Sequence, residues 1–152
     1  MSTERKATAF HEAGHCLVAE RLGYTVTKAW IEPEDDKCGE YNLTWFSCLW
    51  PALKFYFLGK SDHTMIISAG NATQNRFYPG TTPSTRDIKQ LDDLRHYHLI
   101  YDEIVMQKLQ ICLSNKRNQD AIEKIAEILD RDGNITGQKV REVIAEIDSF
   151  SE

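Results

Sequence analysis

The hydrophobic positions near the amino terminus predict an amphipathic helix. Four residues share a 4-3-4 spacing and so lie on one stripe of that helix: His11, His15, Val18 and Leu22. Ser2 or Thr3 can cap the start of the helix, and Gly23 suits the left-handed turn beyond its end. The two histidines therefore face inward, where their ring nitrogens need hydrogen-bond partners or a metal ion.

After the first helix the pattern changes from helical spacing to the alternation of β-strands. Residues 25–31 are rich in β-branched and aromatic side chains, and alternation resumes after the turn-like residues 33–39 through Tyr41, Leu43 and Trp45. This pattern predicts a small β-hairpin. An exposed hairpin edge could bind an extended peptide by strand addition, although most such hairpins simply cover a core.

An aromatic patch follows the hairpin and has no clear period. It spans residues 47–60 and contains five large or rigid side chains: Trp50, Pro51, Phe55, Tyr56 and Phe57. Such a patch could line a substrate groove or dock a partner, but packing against the core is the simpler interpretation.

The remainder of the chain is predicted to be helical. A second helix is expected over residues 61–77, and Pro83 suits the first position of a third. The third helix carries one inward stripe with 4-3-4-3-4 spacing: Asp87, Leu91, Leu94, His98, Tyr101 and Val105. A further amphipathic helix ends around Gly133, and Thr136 caps the last one. The polar residues between these two helices lack the glycine and the glutamate of a calcium loop and therefore predict a turn.

Together these elements predict a mainly α-helical chain with a small β-hairpin, an α+β domain that spans residues 1–152. A chain of 152 residues fits one domain with a real core, and 41% hydrophobic and 27% charged residues are typical of a soluble globular protein. The net charge of −5 argues against binding to nucleic acid, which normally requires a basic face.

The cysteines and the amino terminus predict a cytoplasmic location. The four cysteines lack Cys-x-x-Cys spacing and are expected to be reduced thiols: Cys16, Cys38, Cys48 and Cys112. The amino terminus has no apolar run, and the sequence contains no stretch of about 18 consecutive apolar residues. No signal peptide and no membrane span are therefore expected.

His11, Glu12 and His15 form the pattern His-Glu-x-x-His (HExxH), which is the strongest chemical signal in the sequence. In a helix, two histidines four residues apart point in similar directions, about 6 Å apart along the axis, and can bind one metal ion. Zinc is the expected ion because it accepts imidazole nitrogen and keeps a position for water in catalytic sites. Glu12 then lies beside the metal, where a general base accepts a proton from water. Because the pattern fixes only three positions, a chance match on an ordinary amphipathic helix is the alternative.

A catalytic zinc site normally takes a third protein ligand from elsewhere in the chain. Five side chains are candidates: His63, Asp87, Asp92, His96 and His98. The inward stripe of the third helix favours Asp87, because a carboxylate among apolar residues is unfavourable unless it is paired or bound to metal. His98 lies 11 residues further along the same helix, roughly 16 Å away, which is too far to bind the same ion as Asp87.

The segment ERKATAFHEAGHCLVAE, residues 4–20, resembles the HEAGHAL-type segment of the zinc peptidase domain in the FtsH family of membrane-bound ATP-dependent proteases. The segment VTKAWIEP is similar to the first strand of that family, and ISAGNATQNRFYPG is similar to its Gly-Arg-Ala-Ala-Glu-Glu helix. TTPSTRDIKQ resembles the family segment Thr-Thr-Gly-Ala-x-Asn-Asp, whose last aspartate is the third zinc ligand and aligns with Asp87. EKIAEILDRDGNITGQKVREVI is similar to the closing helices, so the resemblance covers nearly the whole chain.

The resemblance implies a helical zinc metallopeptidase domain in which His11, His15 and Asp87 bind Zn²⁺ and Glu12 is the catalytic base. The implied activity is that of a hydrolase, a metalloprotease (metalloendopeptidase) that cleaves flexible or unfolded polypeptides. A separate ATPase or unfoldase could act with it, and a homo-oligomer is compatible with the sequence.

The chain also departs from the family. From the sequence, neither an ATPase module nor a membrane anchor is expected, so the chain is not expected to unfold its substrates. Ala72, Thr73 and Gln74 replace the family's Ala-Glu-Glu, and residues 83–86 replace its Gly-Ala-x-Asn, which is expected to remove surface partners of the ATPase. The alternative function is a non-catalytic peptide-binding adaptor or regulator that retains the peptidase fold, whereas the intact Glu12 favours the enzyme.

Overall fold

A computed structural model of the chain describes residues 3–31, 39–43, 60–98 and 103–150. The described part contains six helices: α1 (Thr3–Arg21), α2 (Lys60–Phe77), α3 (Thr85–His98), α4 (Glu103–Ser114), α5 (Lys116–Asp132) and α6 (Gly137–Ser149). It also contains three strands: β1 (Val26–Ile31), β2 (Gly39–Leu43) and β3 (Asn134–Thr136). The predicted mainly helical architecture with a small antiparallel sheet is confirmed over these residues.

Helix α1 packs against α2, α5 and the sheet, and it carries most of the predicted site. Gly23 adopts a left-handed φ of 85° just beyond its end, as its position in the sequence predicted. Most of the inward stripe is buried, since His15 is 2% exposed and Val18 is completely enclosed, while Leu22 is partly buried. Gly14 lies so close to Thr73 of α2 that no side chain would fit between the two helices. This close approach brings α2 against the histidines.

The sheet has the order β2-β1-β3, with both pairs antiparallel. The predicted hairpin of β1 and β2 is confirmed, with Ala29 opposite Tyr41, while Trp45 lies outside the described residues. The third strand corrects the sequence prediction, which placed a polar turn at these residues. Ile135 pairs with Ala29 and is 2% exposed, but a three-residue strand is too short to show alternation.

The predicted third helix is wrong in its limits. Helix α3 begins at Thr85, and the Ser84 hydroxyl accepts a hydrogen bond from the Asp87 amide at 3.3 Å, so Pro83 precedes the helix. The helix ends at His98, and Val105 lies on a separate helix, α4. The buried apolar face belongs to α4, with Val105, Leu109 and Leu113, whereas Leu91 and Leu94 of α3 are only partly buried.

The carboxy-terminal helices end and begin where the sequence predicted. Gly133 adopts a φ of 75° after α5, and its N–H donates to the Leu129 carbonyl at 2.8 Å. The Thr136 side chain accepts a hydrogen bond from the Lys139 amide at the start of α6. Large, fully buried aliphatic side chains from α1, α4 and α5 form much of the core: Leu17, Leu109, Leu113, Ile122, Ile125 and Leu129.

Two predictions lie partly or wholly beyond the described residues. Cys16 and Cys112 are free thiols, as expected, whereas Cys38 and Cys48 lie outside the described residues. The aromatic patch also lies outside them, apart from the backbone of Lys60. None of the described helices combines the length and the apolar character needed to cross a membrane.

Candidate metal centre

The four residues predicted for the site lie together in the structure. His11, Glu12 and His15 come from the middle of α1 and are 5%, 3% and 2% exposed, respectively. Asp87 comes from the first turn of α3 and is 7% exposed. The close packing of α1 against α2 and of α2 against α3 thus brings side chains 72 residues apart in sequence into one buried cluster.

The Asp87 carboxylate lies between the two imidazole rings. Its Oδ2 atom is 2.8 Å from His11 Nε2 and 3.1 Å from His15 Nε2. The two Nε2 atoms are themselves 3.0 Å apart, so these three atoms form a compact triangle. The nearest Glu12 oxygen, Oε1, is 4.0 Å from His11 Nε2 and lies beside the triangle.

Both rings are oriented by hydrogen bonds on their other nitrogen. His15 Nδ1 lies 2.7 Å from the backbone carbonyl of Ile66, which can only accept, so this nitrogen carries the proton. His11 Nδ1 lies 3.1 Å from the side-chain oxygen Oε1 of Gln74, which also accepts. In the neutral imidazoles, both Nε2 atoms therefore present lone pairs toward Asp87.

Three acceptor atoms within 3.1 Å of one another repel unless positive charge lies between them. Protons on both Nε2 atoms would set two imidazolium charges against one carboxylate and would place two N–H nitrogens 3.0 Å apart. One cation satisfies all three acceptors at once, and the ligand atoms of a four-coordinate zinc ion lie about 3.3 Å apart. The buried group of His11, Glu12 and His15 could therefore hold a metal ion, with Asp87 in contact with both histidines.

Gly70 of α2 leaves space beside the triangle. A Cβ atom placed on Gly70 would lie 2.6 Å from His11 Nε2 and even closer to His15 Nε2. Real Cβ contacts are essentially never that short. The absence of a side chain at this position therefore keeps the metal-binding faces of both rings open.

The electrostatics of the cluster favour a bound positive charge. Burial raises the pKa of the Asp87 carboxyl, but in the metal-free site hydrogen bonds from His11 and His15, in the forms that carry a proton on Nε2, outweigh burial and hold that pKa well below its usual range. Asp87 is therefore ionised at neutral pH. Cys16 is not part of this group, and burial, reinforced by Glu12 and Glu20, raises the pKa of its thiol well above the ordinary value.

The other third-ligand candidates do not join this cluster in the described part of the chain. His63 lies in the first turn of α2 and is partly exposed, and Asp92 is on the exposed side of α3. The side chains of His96 and His98 lie outside the described residues. Asp87 is the candidate that the structure brings to the two histidines.

Sequence reasoning missed three groups that shape the site: Gly70, Gln74 and the Ile66 carbonyl. All three lie on the face of α2 that packs against α1. Their positions, 66, 70 and 74, are four residues apart and therefore share one side of the helix. The sequence singled out Thr73 and Gln74 only as departures from the resembled family, whereas they are 0% and 7% exposed. They are buried because this turn of α2 packs against α1 at Gly14.

Neither the scan of protein-family models nor the search of curated proteins returns a match to this chain.

Proposed function

We propose that the chain is a zinc-dependent metalloendopeptidase of the FtsH peptidase type, which hydrolyses flexible or unfolded polypeptides. The observation that carries this proposal is the buried triangle of His11 Nε2, His15 Nε2 and Asp87 Oδ2 with the Glu12 carboxylate beside it. Two imidazoles and one carboxylate are the ligand set of several catalytic zinc sites, which keep a further position for water. The resemblance of residues 4–20 to a peptidase metal helix supports the same assignment.

His11, His15 and Asp87 would hold the ion, because nitrogen and oxygen donors in a compact set suit zinc. When bound there, zinc would polarise the scissile carbonyl and make a nearby water molecule more acidic. The backbone carbonyl of Ile66 and the amide of Gln74 keep the two rings turned so that Nε2 remains the ligand atom.

Glu12 would act as the general base. Its carboxylate lies on the turn of α1 between the two histidines and is 3% exposed, so bulk water hardly reaches it. From there it would accept a proton from the attacking water and then donate that proton to the departing amine. Both transfers require only one carboxylate that alternates between its ionised and neutral forms.

The zinc content of the purified chain and the cleavage of unfolded casein test this proposal together. We expect about one zinc ion per chain, loss of cleavage after chelation and recovery on adding zinc back. A chain that binds casein without cleaving it, with zinc bound, would instead be the adaptor predicted as the alternative. A chain that does not bind zinc would refute both the metal site and the mechanism.

A further prediction concerns whether the substrate is folded or unfolded. Without an unfoldase, the isolated chain should cleave casein and spare a stably folded protein of similar size. ATP should not change the rate, because the sequence has no glycine-rich phosphate-binding loop. The rates are measured by gel densitometry with and without ATP. Equal cleavage of the folded protein, or stimulation by ATP in a pure sample, would contradict the prediction.

The third ligand gives another prediction. Asp87→Asn should weaken zinc binding by more than roughly 100-fold, because a neutral amide replaces an anionic ligand. Loss of a residue that only hydrogen-bonds to a metal ligand typically costs about 10–100-fold. Asp92→Asn is the matched control, since Asp92 lies on the exposed side of the same helix. Competition with a chromogenic chelator measures both affinities. Similar affinities for the two variants would exclude Asp87 as a ligand.

A further inference from the structure

The side chain of Gln74 contacts the candidate metal centre at one end and a backbone turn at the other. Its Oε1 atom lies 3.1 Å from His11 Nδ1. Its Nε2 atom donates to the Thr81 hydroxyl at 3.0 Å and to the Thr82 carbonyl at 2.8 Å. The residue is 7% exposed, its contact with His11 is buried, and its two contacts with the turn are partly buried.

The turn fixes which end of the amide faces the histidine. The Thr82 carbonyl can only accept, and the Thr81 hydroxyl uses its own proton to donate to the Tyr78 carbonyl at 2.8 Å. Both acceptors therefore require the NH₂ group of Gln74. A flipped amide would place its oxygen against these two acceptors and would lose both hydrogen bonds that the side chain donates.

The fixed amide determines the tautomer of His11. Because Oε1 can only accept, His11 Nδ1 must donate, and Nε2 then faces Asp87 with its lone pair. The two histidines differ in this respect, since His15 relies on a backbone carbonyl of α2 that no substitution can remove. The orientation of His11 depends on one replaceable side chain.

We infer that Gln74 is the positioning residue for His11, which sets its tautomer and links residues 78–82 to the metal centre. The inference rests on the metal site of the proposed function, but it does not require that the chain cleaves peptides. Residues that hydrogen-bond to a metal-binding histidine typically increase metal affinity by about 10–100-fold. The neutral amide of Gln74 orients the His11 ring without adding negative charge beside Asp87.

A purely structural role for Gln74 predicts something different. If the amide only fastened the turn of residues 78–82 to α2, its loss would lower thermal stability without a specific effect on metal affinity. Gln119 provides a matched control, because its side chain donates to the Leu113 carbonyl at 3.0 Å in a partly buried position remote from the site. Replacement of either glutamine by methionine keeps a similar volume and removes the hydrogen bonds.

The test compares Gln74→Met, Gln74→Glu and Gln119→Met with the wild-type chain. Zinc affinity is measured by chelator competition, and thermal stability of the metal-free chains is measured by circular dichroism. We expect Gln74→Met to weaken zinc binding about 10–100-fold, whereas Gln119→Met changes stability only. Gln74→Glu should recover part of the lost affinity, because one carboxylate oxygen still accepts from Nδ1 while the other can no longer donate to Thr81 and Thr82.

Proton NMR of the zinc-loaded chain gives a second measurement. A buried, hydrogen-bonded Nδ1 proton of His11 should exchange slowly with water in the wild type, and its resonance should be lost in Gln74→Met. Unchanged zinc affinity and an unchanged resonance in Gln74→Met would overturn the inference while leaving the proposed function intact. Equal losses in Gln74→Met and Gln74→Glu would also overturn it. If the wild-type chain bound no zinc, the proposed function would fail first and the inference would fail with it.

Discussion

Glu12→Gln should reduce kcat for peptide hydrolysis by about 10²–10⁴-fold while zinc stays bound. The amide has nearly the same shape as the carboxylate, but it cannot accept a proton from water. The zinc affinity should change little, because His11, His15 and Asp87 keep their contacts. The variant therefore separates catalysis from metal binding.

The measurement for Glu12→Gln is the steady-state cleavage of a fluorogenic unstructured peptide, with zinc content determined on the same sample. Glu4→Gln is a suitable control, because it makes the same chemical change on the exposed first turn of α1. If Glu12→Gln cleaves the peptide as fast as the wild type, Glu12 is not the base and the mechanism is wrong. If only the zinc content falls, Glu12 is instead a ligand.

Gly70→Ala should weaken zinc binding by more than about 100-fold. This loss is larger than the one expected when a residue that hydrogen-bonds to a metal ligand is removed. The added methyl group would lie 2.6 Å from His11 Nε2 and would press on the faces of both rings. Alanine is the better helix former by about 1 kcal/mol, so backbone preference alone should stabilise α2. A loss of zinc binding would then come from the crowded site and not from a weakened helix.

Zinc affinity and the far-ultraviolet circular dichroism of the metal-free chain together decide the Gly70 prediction. Ser68→Ala, two residues earlier on α2 and also buried, introduces alanine without adding a carbon atom, because serine already carries a Cβ, and should bind zinc normally. A Gly70→Ala chain that folds and binds zinc as tightly as the wild type would show that the ion lies elsewhere.

The sequence predicts the elements whose signals are local. The end of α1 at Gly23, the end of α5 at Gly133 and the cap of α6 at Thr136 each depend on one residue and its neighbours. The break between α3 and α4 was missed because the apolar stripe from Asp87 to Val105 keeps helical spacing across it. Spacing alone cannot distinguish one long helix from two that face the same core.

The site shows the same division between local and distant signals. His11, Glu12 and His15 were found because their spacing within one helix is itself the signal. Gly70 and Gln74 were missed because their importance depends on which face of α2 meets α1, and that contact joins residues far apart in sequence. For Asp87, the inward stripe and the family resemblance both pointed to the residue that contacts the two histidines.

Helix α3 contributes Asp87 to the buried interior of the described structure. Among its described side chains, residues 85–94, Asp87 alone is buried, and the helix packs mainly against α2. An ion that bound Asp87 together with the histidines of α1 would therefore bind only the state in which α3 is docked. Its apparent affinity would include the free energy of docking, and each kilocalorie gained in docking would tighten binding about fivefold until docking was complete. Metal affinity in this chain would thus report the position of a helix as well as the quality of three ligands.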